Sequence, residues 1–219
     1  SASSASGVAS VLDNVGQMTN KGFEIDLGFT PIKMKNGLTW TNKVGYTTYK
    51  SVVDKVSDQA DEVALASFAE VGIFAVKGEE FPTIKGTAYL RDDQGRVVID
   101  PTTGNPRRTQ DLKILGKATP DYIINYNTAL TFKGIRLAAV MDYRTGHQFW
   151  SGTKDWISWS GQLYESAVNG RTGFIYPNSS IETSPGVYTQ NTNVVTGGTT
   201  YSTYLSYFQD EFADIAENA

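Results

Sequence analysis

Four stretches of this chain alternate between apolar and polar side chains with few interruptions. Phe23, Ile25, Leu27 and Phe29 are interleaved with Glu24, Asp26, Gly28 and Thr30. Leu38, Trp40, Val44 and Tyr46 are interleaved with Thr39, Thr41, Lys43 and Gly45. Tyr122, Ile124, Tyr126, Leu130 and Phe132 form a third run, and Ile135, Leu137, Ala139, Met141 and Tyr143 a fourth. A period of two means a strand with one apolar and one polar face. The pattern predicts strands at about 22–31, 38–48, 122–133 and 135–144. Strands of this length suit a tilted bilayer crossing of about 9–11 residues, against about 5–6 for an ordinary strand. The expected fold class is therefore all-β, part of a large antiparallel transmembrane β-barrel with long extracellular loops. In such a wall the apolar residues face lipid. The charged residues Glu24, Asp26, Lys43, Lys133, Arg136, Asp142 and Arg144 face a wet lumen, because each would cost roughly 2–4 kcal/mol in lipid at mid-depth.

The turn chemistry divides the chain in the same way. Lys35-Asn36-Gly37 and Lys133-Gly134 supply the positive φ angles of tight hairpins. Residues 49–121 and 145–219 are long excursions rich in Gly, Pro, Asn, Asp and Thr. Short turns at one end and long loops at the other match periplasmic turns and extracellular loops. Residues 1–10, a run of small side chains, are set apart as a flexible stretch, and 11–219 as the barrel fragment. Within the first loop, Val63 to Val76 is apolar enough to extend a strand above the membrane. Arg91 to Asp100 reads as a small hairpin turning at Asp93-Gln94-Gly95, and Pro101 to Pro106 as a further turn. Leu205, Phe208, Phe212 and Ile215 have helical spacing and predict a short amphipathic helix within Tyr201–Ala219.

Bulk properties narrow the function. With no apolar run of about 18 residues, a transmembrane helix is excluded, whereas a barrel gives only a weak signal per segment. A formal charge of −4 and a pI near 5.0 argue against nucleic acid, which requires clustered Lys and Arg. The chain has no cysteine, so disulfides and thiol chemistry are out. Ser1–Ser10 carries no basic segment followed by an apolar core, the form of a signal peptide.

Candidate chemistry is sparse. His147 is the one histidine, too few for a two-histidine metal site and a thin basis for a Ser-His-Asp arrangement. Paired carboxylates for glycoside hydrolysis could be drawn from Asp92, Asp93, Asp100 and Glu165, but sequence does not give their separation. The same aspartates lack EF-hand spacing for calcium. No catalytic residue, metal site or cofactor is expected. The aromatic residues Phe149, Trp150, Trp156, Trp159 and Tyr164 crowd one loop. They could contact cargo or a partner, since Tyr and Trp favour interfaces. They could equally pack loop against loop, or place Trp150 in an interfacial aromatic girdle, where Trp40 also fits.

Several motifs carry a resemblance to a known family. Asn14 to Ile25 (NVGQMTNKGFEI) resembles the segment that opens a late barrel strand in TonB-dependent receptors. Lys77 to Pro82 (KGEEFP), Ile84 to Tyr89 (IKGTAY), Gly95 to Pro106, Leu115 to Tyr122 (LGKATPDY), Asp142 to Gly146 with Phe149-Trp150, and Phe174 to Asn178 (FIYPN) follow in the order of the SusC/RagA branch. The match covers roughly residues 11–215. It departs from the family in having no plug domain, no TonB-box-like N-terminus, too few strands to close a barrel and no terminal aromatic residue. The resemblance thus implies an internal barrel portion of an outer-membrane importer of oligosaccharides or peptides. It further implies a SusD-like surface lipoprotein, a TonB complex acting through the missing N-terminal part, and the lipid bilayer as partners. The competing expectation is a secreted β-sandwich that binds carbohydrate through the Trp150–Trp159 loop, with a glycoside hydrolase third. Neither accounts for several long strands joined by alternately short and very long connections.

Overall fold

The computed structural model describes residues 16–171, 174–195 and 215–218. Contacts divide the chain into two compact units, one formed by Ser1–Ala64, Phe74–Thr83 and Lys117–Gln148, the other by Leu65–Ile73, Ile84–Gly116 and Phe149–Ala219.

The first unit is built on long strands. β1 (Gln17–Lys33) and β2 (Thr39–Lys55) each run 17 residues. Between them Gly37 adopts φ +90°, the Met34 carbonyl accepts from the Gly37 N–H at 3.1 Å, and the Asn36 side chain accepts from the Leu38 N–H at 3.1 Å. These strands continue well past the alternating runs that mark them, because β1 and β2 stay paired to Gln17↔Lys55. The sequence there (Met18-Thr19-Asn20-Lys21-Gly22 and Tyr49-Lys50-Ser51-Val52-Val53) no longer sorts into an apolar and a polar face.

After β3 (Glu62–Phe68), β4 (Val71–Val76), β5 (Thr83–Gly86), β6 (Val97–Ile99) and β7 (Lys113–Lys117) come β8 (Tyr122–Phe132) and β9 (Ile135–Thr145). The β8–β9 turn is two residues, Lys133 at φ +46° and Gly134 at φ +86°. Positive φ at both positions gives the turn whose twist matches that of paired strands. Lys133 therefore belongs to the turn and not to the strand, with its ammonium 5.3 Å from the Phe132 ring centre. The sheet order is β1-β2-β8-β9, antiparallel throughout.

The first long excursion thus holds strands of its own, two of them, β3 and β4, over the apolar stretch Val63 to Val76 expected to extend a strand. β3 and β4 turn at Ala69 (φ +48°) and belong to a sheet of order β3-β4-β5-β7. In the second unit, β10 (Ser179–Ser184) pairs in parallel with β6 and antiparallel with β11 (Val187–Gln190). Two clusters of its core lie among the described residues. Tyr89, Val97, Ile99 and Ile215 pack with Tyr176 and Ile181. Val71, Ile84 and Ala216 pack with Ile73, Leu115 and Trp150. The expected turns at 93–95 and 101–106 are organised by carboxylates. Asp92 accepts from the N–H of Gln94 (3.0 Å) and Arg96 (2.9 Å) and from Arg96 Nε (2.7 Å), while Asp100 accepts from the N–H of Thr102 (2.8 Å) and Thr103 (2.9 Å). The helix expected from spacing in Tyr201–Ala219 lies mostly outside the described residues, which show a single 3-10 turn at Ala216–Asn218. Residues 1–10 also lie outside them.

Candidate functional site: a two-faced sheet and an aromatic helix

Cross-strand register sorts the side chains of the first sheet. Opposed residues on paired strands share a face. Asp26 is opposite Gly45, Gly45 opposite Asn125, and Asn125 opposite Asp142, a polar row across all four strands. Glu24, Lys43, Arg136 and Arg144 fall on this same face by register, each an even number of residues from the row. Within it Lys43 Nζ and Asp26 Oδ2 are 2.9 Å apart, and Asn125 Nδ2 donates to Asp142 Oδ1 at 2.6 Å. Gly45 leaves the room that makes the row compact. A Cβ there would lie 2.7 Å from Asp26 Oδ1 and 3.4 Å from Asn125 Oδ1. Six of the seven residues expected to line a lumen therefore share one strand face; Lys133, in the turn, stands apart from them.

The opposite face carries Phe23, Ile25, Leu27, Phe29, Trp40, Val44, Tyr46, Ile124, Tyr126, Leu130, Ile135, Leu137, Met141 and Tyr143. Leu27 is 63% exposed, Ile135 76% and Leu137 72%. A contiguous apolar face of this extent is not left to water by an ordinary soluble protein. Near the end away from the short turns, rings step across the sheet: Phe23 to Tyr46 at 5.6 Å, Tyr46 to Tyr122 at 5.7 Å, and Tyr122 to Tyr143 at 6.2 Å. Near the other end Trp40 Nε1 donates to Thr128 Oγ1 at 2.8 Å, and the Tyr126 hydroxyl donates to Asn42 Oδ1 at 2.6 Å. Aromatic residues at both ends of an apolar band are the arrangement of membrane interfaces.

The second unit holds the five loop aromatics, and it separates them. Trp150 packs inward, beside Phe68 (5.6 Å between rings) and against the Val71, Ile84 and Ala216 cluster. The helix α1 (Gly152–Trp159) follows, its first turn capped by Ser151, whose side chain accepts from the Lys154 N–H at 3.2 Å. α1 displays Trp156 and Trp159 edge to face, centroids 5.7 Å apart and planes at 73°. Gly152, Thr153, Trp156, Ile157, Trp159 and Ser160 line an open depression there, with no charged side chain among them. Phe149, just before the helix, and Tyr164, at the start of a 3-10 stretch (Tyr164–Arg171), are strongly exposed. By sequence these residues fall within the long loop 145–219, and the local signal for α1 is Ser151 followed by Lys154 and Asp155.

The carboxylates considered for catalysis have other duties. Asp92 and Asp100 fix turns, and backbone N–H groups of Thr103 and Thr102 hold the Asp100 carboxyl below its ordinary range. Asp93, Glu165 and His147 are exposed. Among the described residues no group of three or more His, Asp or Glu is placed to hold a metal ion, and no helix is long and apolar enough to cross a membrane, which says nothing of a β-barrel.

The described fold is all-β in the main, dominated by long antiparallel strands with one apolar and one polar face. Comparison with known proteins agrees with this class of fold. No family model matches the chain. Over 152 residues it is 28% identical to TonB-dependent receptor P3 of Formosa agariphila, covering 58% of this chain and 15% of that protein. In fold it is similar to part of the RagAB peptide transporter, with a TM-score of 0.51 and 18% identity over 72% of this chain and 18% of that one. The RagAB peptide importer in its "closed-closed" state gives 0.49 and 16% over the same shares. The chain is similar to these proteins over part of its length, and it spans less than a fifth of theirs.

Proposed function

We propose that this chain is part of the barrel wall and outer loops of a TonB-dependent outer-membrane importer. The two-faced sheet carries the reading: Leu137 and Ile135 stand exposed on one face while Asp26, Lys43, Asn125 and Asp142 pair on the other. Lipid is the solvent that such an apolar face requires, and water or a plug the environment that such a polar face requires. Glu24, Asp26, Lys43, Arg136, Asp142 and Arg144 then line the lumen, with Lys133 at the periplasmic turn. Residues 49–121 and 145–219 stand outside the cell. The cargo is an oligosaccharide or peptide, and the exposed Trp156–Trp159 pair, with Phe149 and Tyr164, is its contact or that of a SusD-like lipoprotein. Trp150, being packed inward, supports α1 from below. Energy comes from the TonB complex acting on a part of the protein outside this chain. The protein performs binding and passage without covalent chemistry.

The test is the intact mass of the native polypeptide extracted with detergent from outer membranes and measured under denaturing conditions. A mass several times 23.9 kDa fits a wall segment of a larger barrel. A mass near that value in the soluble fraction overturns the proposal and favours a secreted binding module.

A further inference from the structure

The motif Lys77-Gly78-Glu79-Glu80-Phe81-Pro82 has no part in the wall, yet it lies against it. β2 and β8 pair as far as Thr47↔Ile123. Beyond that point β2 keeps β1 on one edge, and on the other edge β8 is replaced by Glu79–Pro82. Val52 bridges Glu80; the Phe81 N–H donates to the Ser51 carbonyl (2.9 Å), the Val53 N–H to the Glu79 carbonyl (3.1 Å), and the Gly78 N–H to the Val53 carbonyl (2.8 Å). The outer side of this segment is held by the chain entering β8: the Ala118 N–H donates to the Pro82 carbonyl (3.1 Å) and Thr119 Oγ1 to the Phe81 carbonyl (2.8 Å). A short piece of backbone thus fills the seam where β2 and β8 part.

Four charges cross the seam. Lys117 Nζ sits 2.7 Å from Glu80 Oε2 and 2.6 Å from Asp121 Oδ1, and Lys50 Nζ lies 3.0 Å from Glu80 Oε1. Lys117 and Glu80 are mostly buried, whereas Lys50 is 63% exposed. The Thr48 hydroxyl closes the base by donating to the Asp121 carbonyl at 2.7 Å. Lys117 therefore joins the carboxylate of the inserted segment to the carboxylate of the β8 entry. Without its charge, Glu80 and Asp121 lose the cation they share.

We propose that Glu79–Pro82 is a strap across the β2–β8 seam, locked by Lys117, which opens as a unit while the β1-β2-β8-β9 ladder stays paired. Two backbone bonds to β2, with a third from the adjoining Gly78, one bond from the β8 entry and the hydroxyls of Thr119 and Thr83 hold the strap, whereas the β2–β8 ladder below it runs unbroken from Thr39↔Thr131 to Thr47↔Ile123. A segment held by few backbone bonds opens at lower free energy than the ladder beside it. The inference concerns this unit alone and stands or falls separately from the transport reading.

Hydrogen exchange on the detergent-solubilised, full-length protein tests it. The amides of Val53, Gly78, Phe81 and Ala118 are expected to exchange together, about tenfold or more faster than those of residues 124–130. Lys117→Met should speed the strap amides about tenfold further and leave 124–130 unchanged, and Lys117→Arg should restore most of the protection. Thr119→Val, which removes one hydroxyl and no charge, should speed the strap several-fold. The proposal is overturned if strap and ladder amides exchange alike in the unmodified protein. It is also overturned if Lys117→Met changes both sets equally or neither, or if that variant prevents the wall from forming.

Discussion

The hydroxyl of Tyr126 on β8 donates to the side-chain carbonyl of Asn42 on β2 at 2.6 Å, on the face that carries the apolar residues. Asn42 is only 5% exposed, and its Nδ2 has no partner among the described residues. Removing the hydroxyl leaves a buried carbonyl unmatched as well, which costs about 1–3 kcal/mol. Tyr126→Phe should therefore lower the stability of the folded protein by that amount in denaturant titration in detergent. Adding Asn42→Val, which removes the stranded amide, should recover most of the loss. A double-mutant cycle without coupling would show that the two groups do not share a bond.

On the other face, Asp26 uses the space that Gly45 leaves free. A methyl group at 45 meets the flexible tip of Asp26, so Gly45→Ala should cost under about 1 kcal/mol. Gly45→Leu must expel the carboxylate from the row and break the 2.9 Å pair with Lys43. It is expected to cost about 1–3 kcal/mol, the usual penalty for a side chain without room. Comparing the unfolding midpoints of the two variants checks this, and equal effects would contradict it.

The charges at the seam set a pH window. Burial pushes the Glu80 carboxyl upward, but the bonds from Lys117 and Lys50 outweigh it and leave the group below its ordinary value of 4.5. Burial likewise pulls Lys117 down, and the bonds to Asp121 and Glu80 outweigh it, leaving the ammonium above 10.5. A lowered carboxyl stabilises the fold above its unfolded value and loses that contribution as pH falls through the folded value. A raised ammonium stabilises below its unfolded value and loses the contribution as pH rises through the folded one. Opening of the strap, measured as exchange corrected for the intrinsic pH effect, should be flat between these limits. It should rise below the ordinary Glu value and again above the ordinary Lys value.

Trp156 and Trp159 are respectively 61% and 49% exposed, so neither is needed to fill a core. Trp156→Ala and Trp159→Ala should each shift stability by no more than about 0.5 kcal/mol, as surface changes do. Loss of an aromatic contact should nevertheless weaken capture of cargo or partner about tenfold, since Trp often dominates binding energy. Trp150→Ala, emptying a place against Val71, Ile84 and Ala216, should instead cost about 3–5 kcal/mol in stability. Uptake or binding assays on the three variants, each with a melting curve, separate surface contact from support.

Legibility in the sequence follows the range of the interaction concerned. In β8 and β9 the alternating runs, 122–133 and 135–144, and the paired strands, 122–132 and 135–145, have almost the same limits, because period two is a local property. β1 and β2 continue to Gln17 and Lys55 through mutual pairing that no face pattern announces. By sequence Lys133 fits both the end of a strand and the Lys133-Gly134 turn, and the positive φ it shares with Gly134 decides for the turn. The inward packing of Trp150 and the outward display of Trp156 and Trp159 depend on where α1 lies, which the crowding of aromatics along the chain does not encode. The strap is least legible. It joins residues 51–53, 79–82 and 118–119, and Lys117 reaches Glu80 across 37 positions. Its motif served to mark a family resemblance without revealing what it touches.

The central claim is that the β1-β2-β8-β9 sheet is a membrane wall, and a cysteine scan along β9 tests it most directly. The chain has no cysteine, so single replacements from Ile135 to Thr145 give clean probes in outer membranes. The account predicts alternation: residues 135, 137, 139, 141 and 143 react with a lipid-soluble reagent, and 136, 138, 140, 142 and 144 with a water-soluble one. Equal reactivity of both sets toward the water-soluble reagent would contradict the account, and the apolar face would then need a protein partner in place of lipid.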